Sequence, residues 1–346
     1  MENKPDIKNL TLDEITTFCS KHNLPKFRAK QIWEWLWKKC TRSFEEMTSL
    51  SKEIRKLLHE NFSIKNIKIH KAERSLDGTI KYSFQLHDNL LIEGVLIKSK
   101  KRLTACISSQ VGCSLACKFC ATGTLKLERN VTASEIYDQV FILNNEALSL
   151  FGKPLTNIVY MGMGEPLLNY NPLLKSIHFI TSNEGLSMSP KRITVSTAGI
   201  AKMIKKLADD QVKFNLAISL HSASENKRNR LMPLNEKINL TELQEAVKYF
   251  YTKTGTRVTY EYILFKNLND KIEDAQNLIK FAKKTACKIN LIEYNSVDNL
   301  SYQKSSTNVT ENFMLLLEKH KIIVNLRKSK GKDIAAACGQ LVNKLQ

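Results

Sequence analysis

Proline and glycine are sparse, 7 and 12 in 346 residues, which excludes collagen-like and proline-rich architectures and leaves little material for long structureless linkers. Long apolar runs are missing as well. The longest, Leu90–Ile97, falls far short of the ~20 residues of a membrane span and carries Glu93 inside it. The opening Met1-Glu-Asn-Lys-Pro5 has no apolar signal core, so a soluble, cytoplasmic protein with no membrane partner is expected. Repeats and low-complexity tracts are absent. Acidic residues are in deficit, 34 against 53 Lys and Arg, leaving a net charge of +19. Either a compositional bias toward lysine or a polyanionic partner accounts for that charge. Clustering favours the partner: Lys26, Arg28, Lys30, Lys38, Lys39 and Arg42 surround Trp33, Trp35 and Trp37, and Arg327, Lys328, Lys330 and Lys332 crowd the C-terminus. The three tryptophans would stack on bases or, as is commoner for this residue, pack in a core.

The 8 cysteines do not form a disulfide scaffold, because three lie within eight positions and five are scattered. In a reducing compartment such a cluster points to a metal or to catalysis.

Periodicity divides the chain into four regions. Residues 1–62 read as a helical accessory module, with helical spacing in Leu12–Ile15, Phe27–Lys39 and Phe44–Phe62. Residues 63–102 read as a β-hairpin linker built from Lys68–Glu73, Thr79–Leu86 and Leu90–Lys98 around an Asp77-Gly78 turn. From 103 to 300, short β-branched runs alternate with helical stretches, the signature of parallel βαβ units. Six strands are expected: Leu103–Ser109, Asn157–Met161, Ile193–Ser196, Phe214–Leu220, Val258–Leu264 and Lys288–Glu293. Thr132 and Glu135 form a capping box that opens a helix reaching about Leu148. The fold class is α/β, a partial (β/α)6 TIM-like barrel with its site at the strands' C-terminal ends. Residues 301–346 add a helix, a strand and a tail.

The strongest motif is Cys113-Ser-Leu-Ala-Cys117-Lys-Phe-Cys120, directly after the first barrel strand. Three thiolates on one loop suit three irons of a cubane and leave the fourth iron open. A structural zinc site closes with four ligands, and no His or fourth Cys stands at finger-like spacing. The loop resembles that of the radical S-adenosylmethionine (SAM) enzymes, which implies a radical SAM barrel. The resemblance further implies one 4Fe–4S cluster per chain, SAM bound at the open iron, and a 5′-deoxyadenosyl radical as the product of its cleavage. One βα unit later stands Met161-Gly162-Met163-Gly164-Glu165-Pro166. It is similar to the family's motif for the cofactor amino group. Ser196, Ser219-Leu220-His221 and Asn295 sit at further strand ends. With Gly164 and Glu165 they make the expected SAM-contact set.

Four features together resemble the RlmN/Cfr family of RNA adenine methyltransferases: Phe27-Arg-Ala-Lys-Gln-Ile-Trp33, the cysteine block through Gly123, Gly162-Met-Gly-Glu-Pro166, and Ala337-Cys338-Gly339-Gln340-Leu341. They span nearly the whole chain. The resemblance implies methylation of adenine in 23S rRNA and in tRNA next to the anticodon, at C2 in the more widespread branch and at C8 in its sister. Two SAM molecules are used per turnover. Cys338 carries the methyl group as S-methylcysteine, Cys106 resolves the RNA adduct through a transient disulfide with Cys338, and Glu93 is the proton acceptor. An electron donor such as flavodoxin or ferredoxin is implied, and a monomer is expected. An activase-type radical enzyme would have no use for Cys106 with Cys338, and the rival from another class is a zinc-dependent RNA-binding module. Cys19, Cys40 and Cys287 are read as structural. The stretch Thr124–Arg129 has less glycine than the family pattern leads one to expect.

Overall fold

The computed structural model describes residues 4–298 and 300–342; the outermost residues of the accessory module and of the tail lie outside that range. The chain opens with three helices, α1 (Leu12–Lys21), α2 (Phe27–Trp37) and α3 (Lys52–Asn61). Thr11 and Glu14 close a capping box on α1, and Ser51 caps α3, so two of the three starts are fixed by local hydrogen bonds. The expected helix from Phe44 divides into a 3-10 turn, Phe44–Glu46, and α3, because Ser51 is the stronger cap.

Strands β1 (Lys68–Arg74), β2 (Ile80–Gln85) and β3 (Leu91–Lys98) form an antiparallel meander, and β3 then pairs with β4 (Leu103–Cys106). The meander is therefore no linker. It continues the main sheet through a hairpin closed by Ser99–Arg102, where Ser99 N donates to Arg102 O. After β4 come the short pair β5 (Gln110–Val111) and β6 (Arg129–Asn130), and then α4 (Ala133–Phe151). The Thr132–Glu135 capping box starts α4, and Gly152 at φ 65° ends it.

Alternation follows: β7 (Asn157–Tyr160), α5 (Tyr170–Thr181), β8 (Ile193–Thr197), α6 (Ala201–Asp209), β9 (Asn215–Ser219), α7 (Glu225–Leu231), α8 (Leu240–Thr254), β10 (Val258–Leu264), α9 (Ile272–Ala282), β11 (Cys287–Glu293), α10 (Thr307–Lys319) and β12 (Val324–Arg327). The ten-stranded order is β1-β2-β3-β4-β7-β8-β9-β10-β11-β12. The six expected parallel strands are present in sequence order, and β12 adds a seventh by pairing parallel to β11. Sequential order is the topology of a barrel wound one way, and here β1 and β12 remain its two edges. β10 is buried on both faces along its whole length, as a central strand covered by helices must be.

The accessory module is fused to this core. Lys8 Nζ lies 2.9 Å from both carboxylate oxygens of Asp138 on α4, with Lys8 1% exposed. Trp37 stacks on Phe179 of α5 at 3.6 Å between ring centroids, Trp33 packs on both, and Tyr137 donates to Trp37 O. Two of the three tryptophans are thus core residues. Trp35 is partly buried under Lys39 and donates to Ser49 Oγ. The exposed aromatic of this module is Phe27, with the Arg28 guanidinium 4.9 Å from its ring centroid.

Trp37→Ala should empty the space between α2, α4 and α5 and cost ~3–5 kcal/mol of unfolding free energy in urea denaturation. A loss below ~1 kcal/mol would mean that the module is not packed on the barrel as described.

Candidate active site

Seven parallel strands end at one rim, and the side chains at those ends enclose a cavity of about 160 Å³. Its wall includes Cys113, Cys117, Cys120, Gly164, Glu165, Ser196, Ser219, His221 and Cys338. Nine of the thirteen residues singled out above therefore meet in one place.

The cysteine loop is held there by its neighbours. Lys118 N donates to Leu231 O at 2.9 Å, and Phe119 packs edge-on against His221 at 4.8 Å and at a tilt against Phe265 at 5.6 Å. Ala121 N donates to Gly339 O at 2.7 Å, and Thr122 Oγ1 donates to Leu341 O at 2.6 Å. Gly123 is required because a Cβ there would lie 2.6 Å from Cys117 O. Burial pushes the Cys113 thiol up to about 11 and raises Cys117 and Cys120 too. Such thiols need a bound cation to ionise.

Among the described residues, no three His, Cys, Asp or Glu side chains converge on a single metal ion. Mononuclear zinc draws its ligands to one point, whereas a cubane offers separate irons to separate thiolates. Three thiols spread around one cavity fit the cubane. Asn295, which does not line this cavity, has its Oδ1 buried without a partner.

Gly162, Gly164, Glu165 and Pro166 of the turn after β7 line this cavity, and the turn also lies directly on the protein's own backbone. A Cβ on Gly162 would lie 2.6 Å from Ser108 Oγ and 2.7 Å from Ile107 O, and one on Gly164 (φ +91°) would lie 2.4 Å from Gln110 Cβ. The close approach is to the segment after β4. Ser108 Oγ accepts from Met163 N and donates to Glu93 O, and Gln110 Oε1 accepts from Glu165 N. Glu165, 3% exposed, accepts from Leu167 N at 3.0 Å and from Ala198 N at 2.7 Å, so it braces the end of β7 against the end of β8. Burial lifts its carboxyl to about 7 in spite of those donors.

His221 is neutral. It accepts from Ile263 N through Nδ1, and burial together with the nearby Arg228 charge pushes it down to about 3. Arg228, 1% exposed, donates to Leu220 O, Ala198 O and Ser219 O, tying the ends of β8 and β9 together. It was invisible in the sequence, where Glu225–Arg230 reads as a solvated charge run.

Four of the thirteen stand apart from this wall. Leu220 is fully buried in the core and contributes backbone only. Asn295 does not line the cavity and donates to Cys338 O at 3.3 Å. Cys106, 7% exposed, lies on a second cavity of about 70 Å³, which it shares with Cys338 and Arg327. Both are free thiols. Burial, then the Cys338 charge, pushes Cys106 up to about 12. Glu93 borders neither cavity. Its Oε2 accepts from Val342 N at 2.9 Å, and Oε1 faces Lys81 Nζ at 3.5 Å. Burial raises its pKa and Lys81 opposes the rise. The acid in an apolar strand thus anchors the tail just past Cys338.

Residues 5–64 match the family described as "Ribosomal RNA large subunit methyltransferase N-terminal domain", and residues 107–282 match the radical SAM superfamily. The chain is 52% identical over 343 residues to a protein of Christiangramia forsetii named "Probable dual-specificity RNA methyltransferase RlmN", covering 99% of this chain and 97% of that one. It is 53% identical over 341 residues to the protein of the same name from Cytophaga hutchinsonii, covering 99% and 93%. A solved radical SAM methyltransferase from Sphaerobacter thermophilus, 36% identical, aligns with a TM-score of 0.92 over 97% of this chain and 99% of that chain.

Glu165 gives a pH test on the cluster-free chain. Its folded value, about 7, lies above the ordinary 4.5, so its contribution to stability is full below pH 4.5 and is lost as pH rises through about 7. Unfolding free energy of the wild type relative to Glu165→Gln should fall by ~3 kcal/mol across that window in urea titrations. Parallel profiles would contradict a buried, high-pKa Glu165.

Proposed function

This chain belongs to the RlmN family of radical SAM methyltransferases, and we propose that it methylates adenine C2 in RNA by passing the methyl group through Cys338. The observation that carries this reading is the presence of Cys338 on the wall of the cavity bearing Cys113, Cys117 and Cys120, and also on the wall of the one bearing Cys106. One thiol thus borders both the cluster loop and a second thiol.

Cys113, Cys117 and Cys120 would hold one 4Fe–4S cluster per chain, with Gly164, Ser196, Ser219 and the Asn295 amide beside SAM. When bound, the cluster supplies the electron that splits SAM and so makes a hydrogen-abstracting radical available. Cys338 takes a methyl group from a first SAM as a thiolate and becomes S-methylcysteine. After hydrogen loss from that methyl group, which consumes a second SAM, its carbon bonds to the adenine and the RNA is tethered to Cys338. One electron leaves the adduct and returns to the site that supplied it. Cys106, as a thiolate, then attacks the Cys338 sulfur, so that a disulfide forms as the sulfur–carbon bond breaks. The carbon keeps the electron pair and takes up a proton to become the methyl group, and the electron donor reduces the disulfide before the next turnover.

Glu93 accepts the proton lost from the adduct. Since its carboxylate holds Val342 N at 2.9 Å, this role requires the tail to lift from Glu93 when the base enters, which links proton transfer to tail movement.

The substrates are large-subunit rRNA, which the description of the matched N-terminal family names, and tRNA, a second RNA that suits the words "dual-specificity" in the relatives' names, with the basic face of α2 and the run after β12 meeting phosphates. Phe27, exposed beside Arg28, replaces the tryptophans as the stacking residue. A flavodoxin- or ferredoxin-like donor supplies electrons to a monomer working in the cytoplasm. No helix among the described residues is long and apolar enough to cross a membrane.

Cys338→Ala should abolish methyl loading of the protein, and methyl still carried by the variant would move the carrier role elsewhere. Cys106→Ala should accumulate a covalent RNA–protein adduct, seen as a slow band on a denaturing gel. Normal turnover without that band would remove the resolving role.

A further inference from the structure

Arg327, the last residue of β12, has no role in the chemistry described so far, yet it borders both cavities. Among the described residues on the wall of the larger cavity it is the one Lys or Arg, on a wall that also carries four cysteines, Glu165 and Glu261. Two contacts place its guanidinium. Nη1 lies 3.5 Å from Glu261 Oε2 on β10 and 3.9 Å from Met161 Sδ just after β7. Both use the same nitrogen, and a guanidinium carries five N–H donors in a planar fork.

Methyl transfer to Cys338 forms a sulfur–carbon bond as the sulfonium–carbon bond of SAM breaks. A negative thiolate and a positive sulfonium both become neutral, and S-adenosylhomocysteine leaves. The step therefore needs the thiolate in a place where the protein disfavours it. Although Cys338 as a residue is exposed, it borders both cavities, and desolvation raises its pKa. The Arg327 charge is the leading influence against that rise, and it opposes the rise at Cys106 as well. The charged and titratable groups around Cys338 are Arg327 and the following Lys328 and Lys330, Glu261 from β10, Cys106 from β4 and Cys120 from the cluster loop. Glu261 counteracts the cations, and its own contact with Arg327 Nη1 keeps the guanidinium turned toward the lumen.

We propose that Arg327 is a positioning residue for both half-reactions, its guanidinium placed between the two cavities so that it holds first Cys338 and then Cys106 as thiolates. The inference rests on Cys338 being the methyl carrier. It assigns to β12, the strand that the six-unit reading left outside the barrel, a part in the chemistry: the seventh strand carries the counter-charge to the thiols on β4 and on the tail.

The test needs no bound cofactor. The full-length wild type, Arg327→Lys and Arg327→Met are alkylated with iodoacetamide under anaerobic conditions between about pH 6 and 10, and the Cys338 peptide is quantified by mass spectrometry. Because the thiolate is the reactive form, the midpoint reports its ionisation. Arg327→Met should raise the midpoint and slow alkylation roughly tenfold near neutral pH, with Arg327→Lys between the two. A midpoint unchanged in Arg327→Met, or a rate lowered by one factor at every pH, would overturn the proposal, since loss of packing alters access rather than ionisation. Circular dichroism identifies a variant that fails to fold, and the lysine substitution then decides between the same outcomes. A parallel incubation of the wild type, reconstituted with iron and sulfide, with methyl-labelled SAM reads the carrier role separately: no methyl on Cys338 overturns that role and the methyl-transfer half of this proposal with it, whereas the alkylation midpoints alone decide whether Arg327 holds the thiolate.

Discussion

Two hydrogen bonds join the cluster loop to the C-terminal tail, Ala121 N to Gly339 O at 2.7 Å and Thr122 Oγ1 to Leu341 O at 2.6 Å. Cys120 immediately precedes one end of this clasp, and Cys338 immediately precedes the other. The segment bearing Cys113, Cys117 and Cys120 and the segment bearing Cys338 are thus separated by about two hundred residues of sequence and held as one unit. Other contacts reinforce the clasp: Asn295 Nδ2 to Cys338 O, Gln340 Nε2 to Ser296 O, Val342 N to Glu93, and Asp333 accepting from Ser75 and from Leu76 N. Each is worth of order 1 kcal/mol. Together they fix a tail that has almost no regular structure of its own.

The rest of the architecture gives that clasp something rigid to hold. Seven parallel strands place their C-terminal ends at one rim, Arg228 and Glu165 cross-brace the ends of β7, β8 and β9, and glycine at 162 and 164 lets the turn after β7 lie directly on Ser108 and Gln110. The meander β1–β3 supplies the anchor for the far end of the tail, through Glu93 and the β1–β2 turn. Buried polar groups are costly when unpaired, and here nearly all of them pair across element ends. Asn295 Oδ1 and the Tyr294 hydroxyl are among the exceptions.

Much of this was legible in the sequence because loops that follow strands keep their spacing. The cysteine triplet, Gly162–Pro166 and the Cys338 segment announced the site, and the Thr132–Glu135 box announced α4. The continuity of the sheet was hidden, since the Ser99–Arg102 hairpin is a run of lysine and arginine with none of the Asn-Gly chemistry that marks a tight turn. Glu93 stood out as an acid in an apolar strand, but its partner Val342 lies 249 positions away, and no local pattern reveals such a contact. Arg228 and Arg327 were masked by neighbouring charges that do face solvent. The tryptophans were ambiguous by nature, because aromatic residues among lysines suit RNA as well as they suit a core, and only the Phe179 and Tyr137 contacts decide it.

The central claim is that one cavity serves both a SAM-cleaving cluster and methylation of an RNA base. It is tested most directly by reconstituting the chain with iron and sulfide without oxygen, supplying reductant, methyl-labelled SAM and an rRNA fragment, and identifying the nucleosides by mass spectrometry. Label recovered as 2-methyladenosine is the result expected here. A labelled 8-methyladenosine would move the chain to the sister chemistry, and SAM cleavage with no label in the RNA would contradict the claim.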